Sequence, residues 1–108
     1  MILTAWNNGD YHESGAGYGL KMSPGDRDLY LSRDWDSVIL ELEGAPNLII
    51  VNIRKQSFWE GDCPELIKKE IGQWLRSNGK APWPKWHPPK FSIEPISDNR
   101  FFVHLSNS

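Results

Sequence analysis

Hydrophobic and polar residues alternate in several short stretches, with the period of two that is typical of half-buried β-strands. The two strongest stretches are residues 38–43 and 48–53, which are rich in aliphatic and β-branched side chains and are separated by Gly-Ala-Pro-Asn. Together they predict a β-hairpin. The second stretch is apolar at nearly every position, so we expect it to lie centrally in a sheet with both faces covered.

Two further hairpins are predicted near the ends of the chain. Residues 1–24 combine a short apolar start, four glycines and an alternating stretch at 18–22, which indicates a hairpin or meander with tight turns. Residues 91–95 and 101–105 alternate on either side of a Ser-Asp-Asn turn. Because proline cannot donate a ladder hydrogen bond, Pro95 predicts an edge position or a bulge in the first of these strands.

One helix is predicted, over about residues 63–77. Asp62 and Glu65 have the spacing of a capping box, and Pro64 suits the first turn of a helix. At about 100° per residue the apolar side chains fall on one arc, which we expect to face the core. That arc contains Cys63, Ile67, Ile71, Trp74 and Leu75. Residues 26–32 are short and highly charged, and they are interpreted as a loop with one helical turn.

The order of several strands, one helix and two strands predicts a single α+β domain over residues 1–108. We expect a largely antiparallel sheet of about five to six strands, with the helix at about 63–77 packed on one face. A chain of 108 residues is long enough to bury one compact core. Residues 80–90, called the Trp-Pro loop below, contain four prolines and predict a rigid crossing from the helix to the last hairpin.

The formal charge of −2 conceals a segregation of charge along the chain. Residues 25–43 carry six carboxylates against two arginines, a net charge of −4, whereas residues 54–90 carry eight cations against four carboxylates, a net charge of +4. These segments are either ordinary solvated faces, an acidic binding face, or complementary surfaces for self-association. A low overall charge therefore does not exclude a charged binding site.

Composition also restricts the compartment. The single cysteine cannot form an internal disulfide, and no apolar run approaches the roughly 20 residues that span a bilayer. The N-terminal residues lack the basic and long apolar parts of a signal peptide. We therefore expect a cytoplasmic protein that does not bind membranes.

Two tryptophan-containing segments are the strongest candidate binding sites. The Trp-Pro loop interleaves aromatic rings with cations, an arrangement suited to stacking on bases or to anchoring a partner. The alternative is that its tryptophans close the core. Residues 34–36 place Trp35 between two aspartates, which suits an acidic epitope, or an ion-pair network with the Asp-Arg-Asp run at 26–28 that orders the loop. The candidate binding residues are Asp34, Trp35, Asp36, Trp83, Lys85, Trp86 and His87.

No motif in the sequence specifies catalysis, a cofactor or a metal site. A small ribonuclease needs a histidine, a carboxylate and an arginine, but the spacing around His12 and His104 does not specify that set. Cys63 is interpreted as a buried apolar residue. The acidic run at 26–28 lacks the glycine and distal glutamate of a calcium loop. A pocket between helix and sheet remains a third kind of site.

Several runs spread over most of the chain carry a resemblance to known sequences: Tyr18-Gly19-Leu20-Lys21, Asp26-Arg27-Asp28, Trp35 to Gly44, Val51-Asn52-Ile53, Ser57-Phe58-Trp59, Glu70 to Leu75, Trp83-Pro84-Lys85 and Pro88 to Phe91. They resemble a group of uncharacterised small bacterial hypothetical proteins found in integron gene cassettes and other mobile DNA. The resemblance implies no catalytic residue. The stretch from Trp6 to Gly44 is also similar to small immunity proteins of bacterial toxin systems.

We therefore expect a small non-enzymatic binding module that acts on a protein partner or self-associates as a homodimer, without cofactor or metal. Aromatic residues and arginine dominate protein-binding hot spots, which favours the tryptophans as contacts. The alternative is binding or cleavage of nucleic acid through the basic helix face and the Trp-Pro loop. The cations of that surface are Lys68, Lys69, Arg76, Lys85 and Lys90.

Overall fold

The computed structural model describes residues 1–10 and 12–106, and over these residues it shows seven strands and three short helices. In chain order the elements are β1 (Ile2–Asn7), β2 (Tyr18–Lys21), α1 (Pro24–Tyr30), β3 (Ser37–Leu42), β4 (Ile49–Asn52), α2 (Gln56–Glu60), β5 (Glu65–Ile67), α3 (Lys69–Ser77), β6 (Lys90–Ser97) and β7 (Arg100–Val103). No helix within these ranges has the length and apolar character needed to cross a membrane.

The strands form one sheet in the order β4-β3-β7-β6-β1-β2-β5. Neighbouring strands are antiparallel except β3 and β7, which run parallel and make the sheet mixed. The sheet curls until its two edge strands, β4 and β5, approach each other, which gives the domain a near-barrel shape. Alternate side chains of the strands fill the interior, as the fully buried Leu3, Leu40 and Phe101 illustrate.

The predicted sheet of five to six strands with one main helix is wrong. The described chain has seven strands that outweigh three short helices, and the segment expected as a helix is divided between β5 and α3. Residues 65–67 pair with β2, with Leu66 opposite Leu20, and α3 begins only at Lys69. The helical arc of apolar residues missed this strand because its hydrogen-bonding partner lies more than forty positions away in the sequence.

The segment at 26–32, interpreted as a loop with one helical turn, is more helical than expected, because residues 24–30 form α1. Ser23 caps this helix: its Oγ accepts a hydrogen bond from the Asp26 N–H at 3.1 Å, and Pro24 occupies the first turn. The N-terminal signal was present in the sequence. The high charge masked it, since Arg27 is in fact buried within the domain.

The three predicted hairpins are confirmed. β3 pairs with β4, β1 with β2, and β6 with β7, and the last pair shows a register shift between Pro95 and Ser97, in agreement with the bulge that Pro95 predicts as one of two alternatives. The central position predicted for the strand at 48–53 is wrong. β4 is an edge of the sheet, and its Ile50 side chain is 58% exposed.

Candidate protein-binding surface

The Trp-Pro loop connects α3 to β6 and has one tryptophan on each of its two sides. Trp83 is half-buried and packs against the hydrophobic core, with its ring edge-on to the buried Tyr18 ring at a centroid distance of 5.9 Å. This contact attaches the loop to β2. Trp83 therefore fixes the loop to the core. This agrees with the alternative in which a tryptophan of this loop closes the core.

Trp86 lies on the opposite side, where its side chain is 83% exposed, more than any other large hydrophobic residue of the described chain. Its φ of 70° lies in the left-handed region, which a bulky side chain rarely adopts. The His87 N–H donates to the Pro84 carbonyl at 2.9 Å and closes a turn around Trp86, and His87 itself is exposed. The Lys85 ammonium lies 5.3 Å from the centroid of the Trp86 ring, within range of a cation–π interaction.

The segment 34–36 is anchored in a similar way. Trp35 is half-buried, edge-on to the Phe101 ring of β7 at 6.2 Å. Asp36 forms an ion pair with Arg54, so its charge is already neutralised by a neighbour. Asp34 is exposed, and its backbone N–H donates to Ser32 Oγ at 3.1 Å. Of the two expected acidic groups, Asp34 is the one that is free of an ion pair within the described residues.

The structure does not join these two segments through a shared strand. Trp35 contacts β7 and Trp83 contacts β2, and two other strands lie between β7 and β2 in the sheet. Trp35 and Trp83, both candidate contact residues, are thus half-buried supports at two separate places. Trp86 is the candidate that combines an aromatic ring with near-complete exposure.

The basic residues of the alternative surface are largely unpaired. Within the described residues, no carboxylate oxygen lies within 4.0 Å of the charged nitrogens of these side chains. Lys68 and Lys69 stand at the start of α3, and Arg76 stands in its last turn. The set comprises Lys68, Lys69, Arg76, Lys85 and Lys90. Free cations of this kind are available to an anionic partner.

Sequence reasoning missed an interior cation. Arg27 is only 6% exposed, and its Nη1 donates to the carbonyls of Phe58 at 2.9 Å and Gly61 at 3.0 Å, which ties α1 to α2. Its Nε donates to Asp28 at 2.9 Å, and this hydrogen bond lowers the pKa of Asp28 below its ordinary value of 3.8. The pairing of Arg27 with Asp28 agrees with the expected ion-pair network. The burial of Arg27 had no local signal, because both carbonyls lie more than thirty positions away.

The arginines also surround a buried tryptophan. The guanidinium carbons of Arg27 and Arg33 lie 5.9 and 5.2 Å from the centroid of the Trp59 ring, and the Trp59 indole N–H donates to the Ile53 carbonyl at 2.9 Å. Trp74, assigned to the core from the helical pattern, is also buried, and its indole N–H donates to the Glu43 carbonyl at 2.9 Å. Trp59 and Trp74 are therefore structural, since each ring is buried and its indole N–H already donates to a backbone carbonyl.

The remaining chemical candidates are dispersed. His12 is exposed and lies 2.7 Å from Ser14 Oγ, whereas the His104 Nε2 lies 3.0 Å from a Glu94 carboxylate oxygen on the outer face of the sheet. Cys63 was expected in the core and is exposed, because it precedes β5 instead of lying on a helix. In the part of the chain that is described, no three His, Cys, Asp or Glu residues are placed to hold a metal ion.

No protein-family model matches this chain, and no curated protein and no solved structure is significantly similar to it. The resemblances noted from sequence motifs therefore stay expectations. Function has to be inferred from the geometry of the chain itself.

Proposed function

We propose that this protein is a non-enzymatic binding module that engages a protein partner through Trp86 in the Trp-Pro loop. The observation that carries the proposal is the 83% exposure of this ring in a domain whose other five tryptophans are buried or half-buried. A fully buried tryptophan removes a large apolar area from water, and tryptophan is enriched at binding hot spots.

The loop is built to present this ring with little loss of entropy on binding. Four prolines restrict its backbone, Trp83 attaches it to the core, and the hydrogen bond from His87 to Pro84 closes the turn. A preorganised contact loses less conformational freedom when a partner immobilises it. Lys85, stacked beside Trp86, adds a cation, so the complementary surface offers an apolar cavity with a carboxylate at its rim.

The second candidate function is nucleic-acid binding. It is favoured by the unpaired cations of α3 and the Trp-Pro loop, and by the exposed Trp86 ring on which a base would stack. The two functions differ in their salt dependence, since each phosphate contact releases counterions and steepens the loss of affinity with salt.

A photo-crosslinking amino acid placed at the exposed position 87, beside an intact Trp86, tests the proposal, with the same group at the exposed position 13 as the control. We expect a discrete crosslinked protein from position 87 alone. Unlabelled wild-type protein should compete for this product, and the folded Trp86→Ala variant should not. The purified partner must then bind the wild type and lose at least about tenfold affinity for the variant. A product that nuclease removes would replace the proposal with the nucleic-acid function, and equal competition by both proteins would refute it.

A further inference from the structure

The edge strand β4 directs backbone polar groups away from the sheet. Ile50 lies opposite Ile39 of β3, and the Ile39 N–H donates to the Asn99 carbonyl at 2.8 Å, on the far side from β4. Ile39 and Ile50 therefore form a non-hydrogen-bonded pair of the antiparallel ladder. The Ile53 N–H donates to the backbone carbonyl of Asp36 at 3.1 Å, so these two residues form a hydrogen-bonded pair of the same ladder. Because bonded and non-bonded pairs alternate along the ladder, this also places Ile50 in a non-hydrogen-bonded pair. The N–H and C=O of Ile50 consequently point outward from the edge.

β5 approaches this edge, but the sequence of the edge itself carries none of the usual protection against a further strand. Residues 48–52 read Leu-Ile-Ile-Val-Asn, without the lysine, proline or bulge that natural sheets place on exposed edges. The side chains of Leu48 and Ile50 are 47% and 58% exposed. They form an apolar strip on the outer face, beside the outward-pointing backbone groups of Ile50.

A groove lies between the start of β4 and α3. Its cavity measures about 390 Å³, a size suited to several side chains of a ligand. The β3–β4 loop and Leu48 form one wall, and Glu70, Gln73 and Trp74 of α3 form the other. The hydrogen bond from the Trp74 indole to the Glu43 carbonyl holds the ring at a fixed position in this wall.

The charge of the groove selects its occupant. Glu70 is exposed at the rim, and no lysine, arginine or histidine nitrogen of the described chain lies within 4.0 Å of its carboxylate. A cationic side chain entering the groove forms a charge-assisted hydrogen bond with this group. An edge strand beside a helix, with alternate side-chain sites on its two faces, is the arrangement by which extended peptides add to sheets.

We propose that the groove between β4 and α3 binds an extended peptide segment of a partner protein, which pairs with Ile50 as an added strand and places a lysine or arginine against Glu70. Alternate side chains of the peptide contact Leu48 and Ile50 on the outer face, and the others enter the cavity against Trp74. This site uses no residue of the Trp-Pro loop, so it does not depend on the proposed role of Trp86.

Selection from a phage-displayed library of random linear peptides on the full chain tests this inference. We expect enriched peptides with an alternating apolar pattern and one basic residue. Their synthetic forms should bind Glu70→Lys at least about tenfold more weakly than the wild type. Glu13→Lys makes the same charge change at another exposed site and should bind normally, as should Trp86→Ala.

Amide hydrogen exchange gives the readout specific to strand addition. A saturating peptide should slow exchange at the Ile50 N–H at least about tenfold, while the Ile39 N–H, which is already bonded to Asn99, changes little. N-methylation of the peptide amide that pairs with Ile50 should abolish binding. Absence of enrichment, unchanged Ile50 exchange, or loss of binding in Trp86→Ala instead of Glu70→Lys would each overturn the inference. Protection of Ile50 that rises with protein concentration alone would identify a second copy of the chain as the occupant and overturn it too.

Discussion

Gly72 of α3 lies directly against Gly15 of the β1–β2 loop. A Cβ built on Gly72 would stand 2.6 Å from the Gly15 Cα and would overlap the Gly15 carbonyl oxygen. Gly15 has a φ of 92°, and a Cβ on it would stand 2.8 Å from the backbone nitrogen of Gln73. The two glycines thus let the helix and the loop meet backbone to backbone. This contact seats α3 and, with it, the Trp74 wall of the groove.

Substitution of Gly72 by alanine should lower the free energy of unfolding by about 1–3 kcal/mol, because the added methyl group meets backbone atoms that cannot rotate away. Gly25 of α1 is the matched control, since the nearest atom to a methyl group added there is Ser23 Oγ, at 4.0 Å. Gly25→Ala should change stability by less than about 1 kcal/mol, in the stabilising direction. Urea unfolding of both variants measures the difference, and equal midpoints would contradict the close contact.

Arg27→Met should lower the free energy of unfolding by about 1–3 kcal/mol, because the carbonyl oxygens of Phe58 and Gly61 lose their hydrogen-bond donor inside the domain. Arg33→Met provides the control, since Arg33 is exposed and its guanidinium stacks on the same Trp59 ring. Its effect should stay below about 1 kcal/mol. Thermal unfolding in parallel would contradict the structural role of Arg27 if the two variants were equally stable.

Asp28 should give the domain an acid-sensitive contribution to stability. Its hydrogen bond from Arg27 lowers the pKa of the folded state below 3.8, so the contribution is present above that pH and is lost as the pH falls through the lowered value. Asp28→Asn should flatten this part of the pH profile. In the Arg27→Met background the same substitution should have a smaller effect on the profile, because only the charge of Arg33 then still lowers the pKa of Asp28. Urea midpoints measured across the acid range would refute the coupling if the slope persisted in Asp28→Asn.

The two tryptophans of the Trp-Pro loop should separate stability from binding. Trp83→Ala removes a ring packed on Tyr18 and should cost about 1–3 kcal/mol, less than a fully buried ring because Trp83 is half-buried. Trp86→Ala should change stability by less than about 0.5 kcal/mol, as for surface substitutions in general. Guanidinium unfolding checks both values. A large loss of stability in Trp86→Ala would show that this ring supports the fold and would remove it as a binding anchor.

Part of the candidate site was predictable from the sequence alone. The prolines of the Trp-Pro loop indicated a rigid crossing, and its tryptophans and cations marked it as a place for contacts. Which ring packs inward and which faces solvent was not predictable, because Trp83 and Trp86 lie in the same short proline-rich segment and neither has a periodic pattern around it. The Tyr18 ring that receives Trp83 comes from a strand far away in the chain.

The sequence by itself determined the three hairpins, an irregular position at Pro95 and the burial of Trp74, since each depends on residues close together in the chain or on a short periodic pattern. Only the tertiary structure decided that residues 65–67 are a strand, that Arg27 is an interior cation and that β4 is an edge. These features depend on hydrogen-bond partners and on strand order supplied by distant segments. Distant segments supply the hydrogen-bond partners of these backbone groups and charges, and local sequence preferences do not specify those partners.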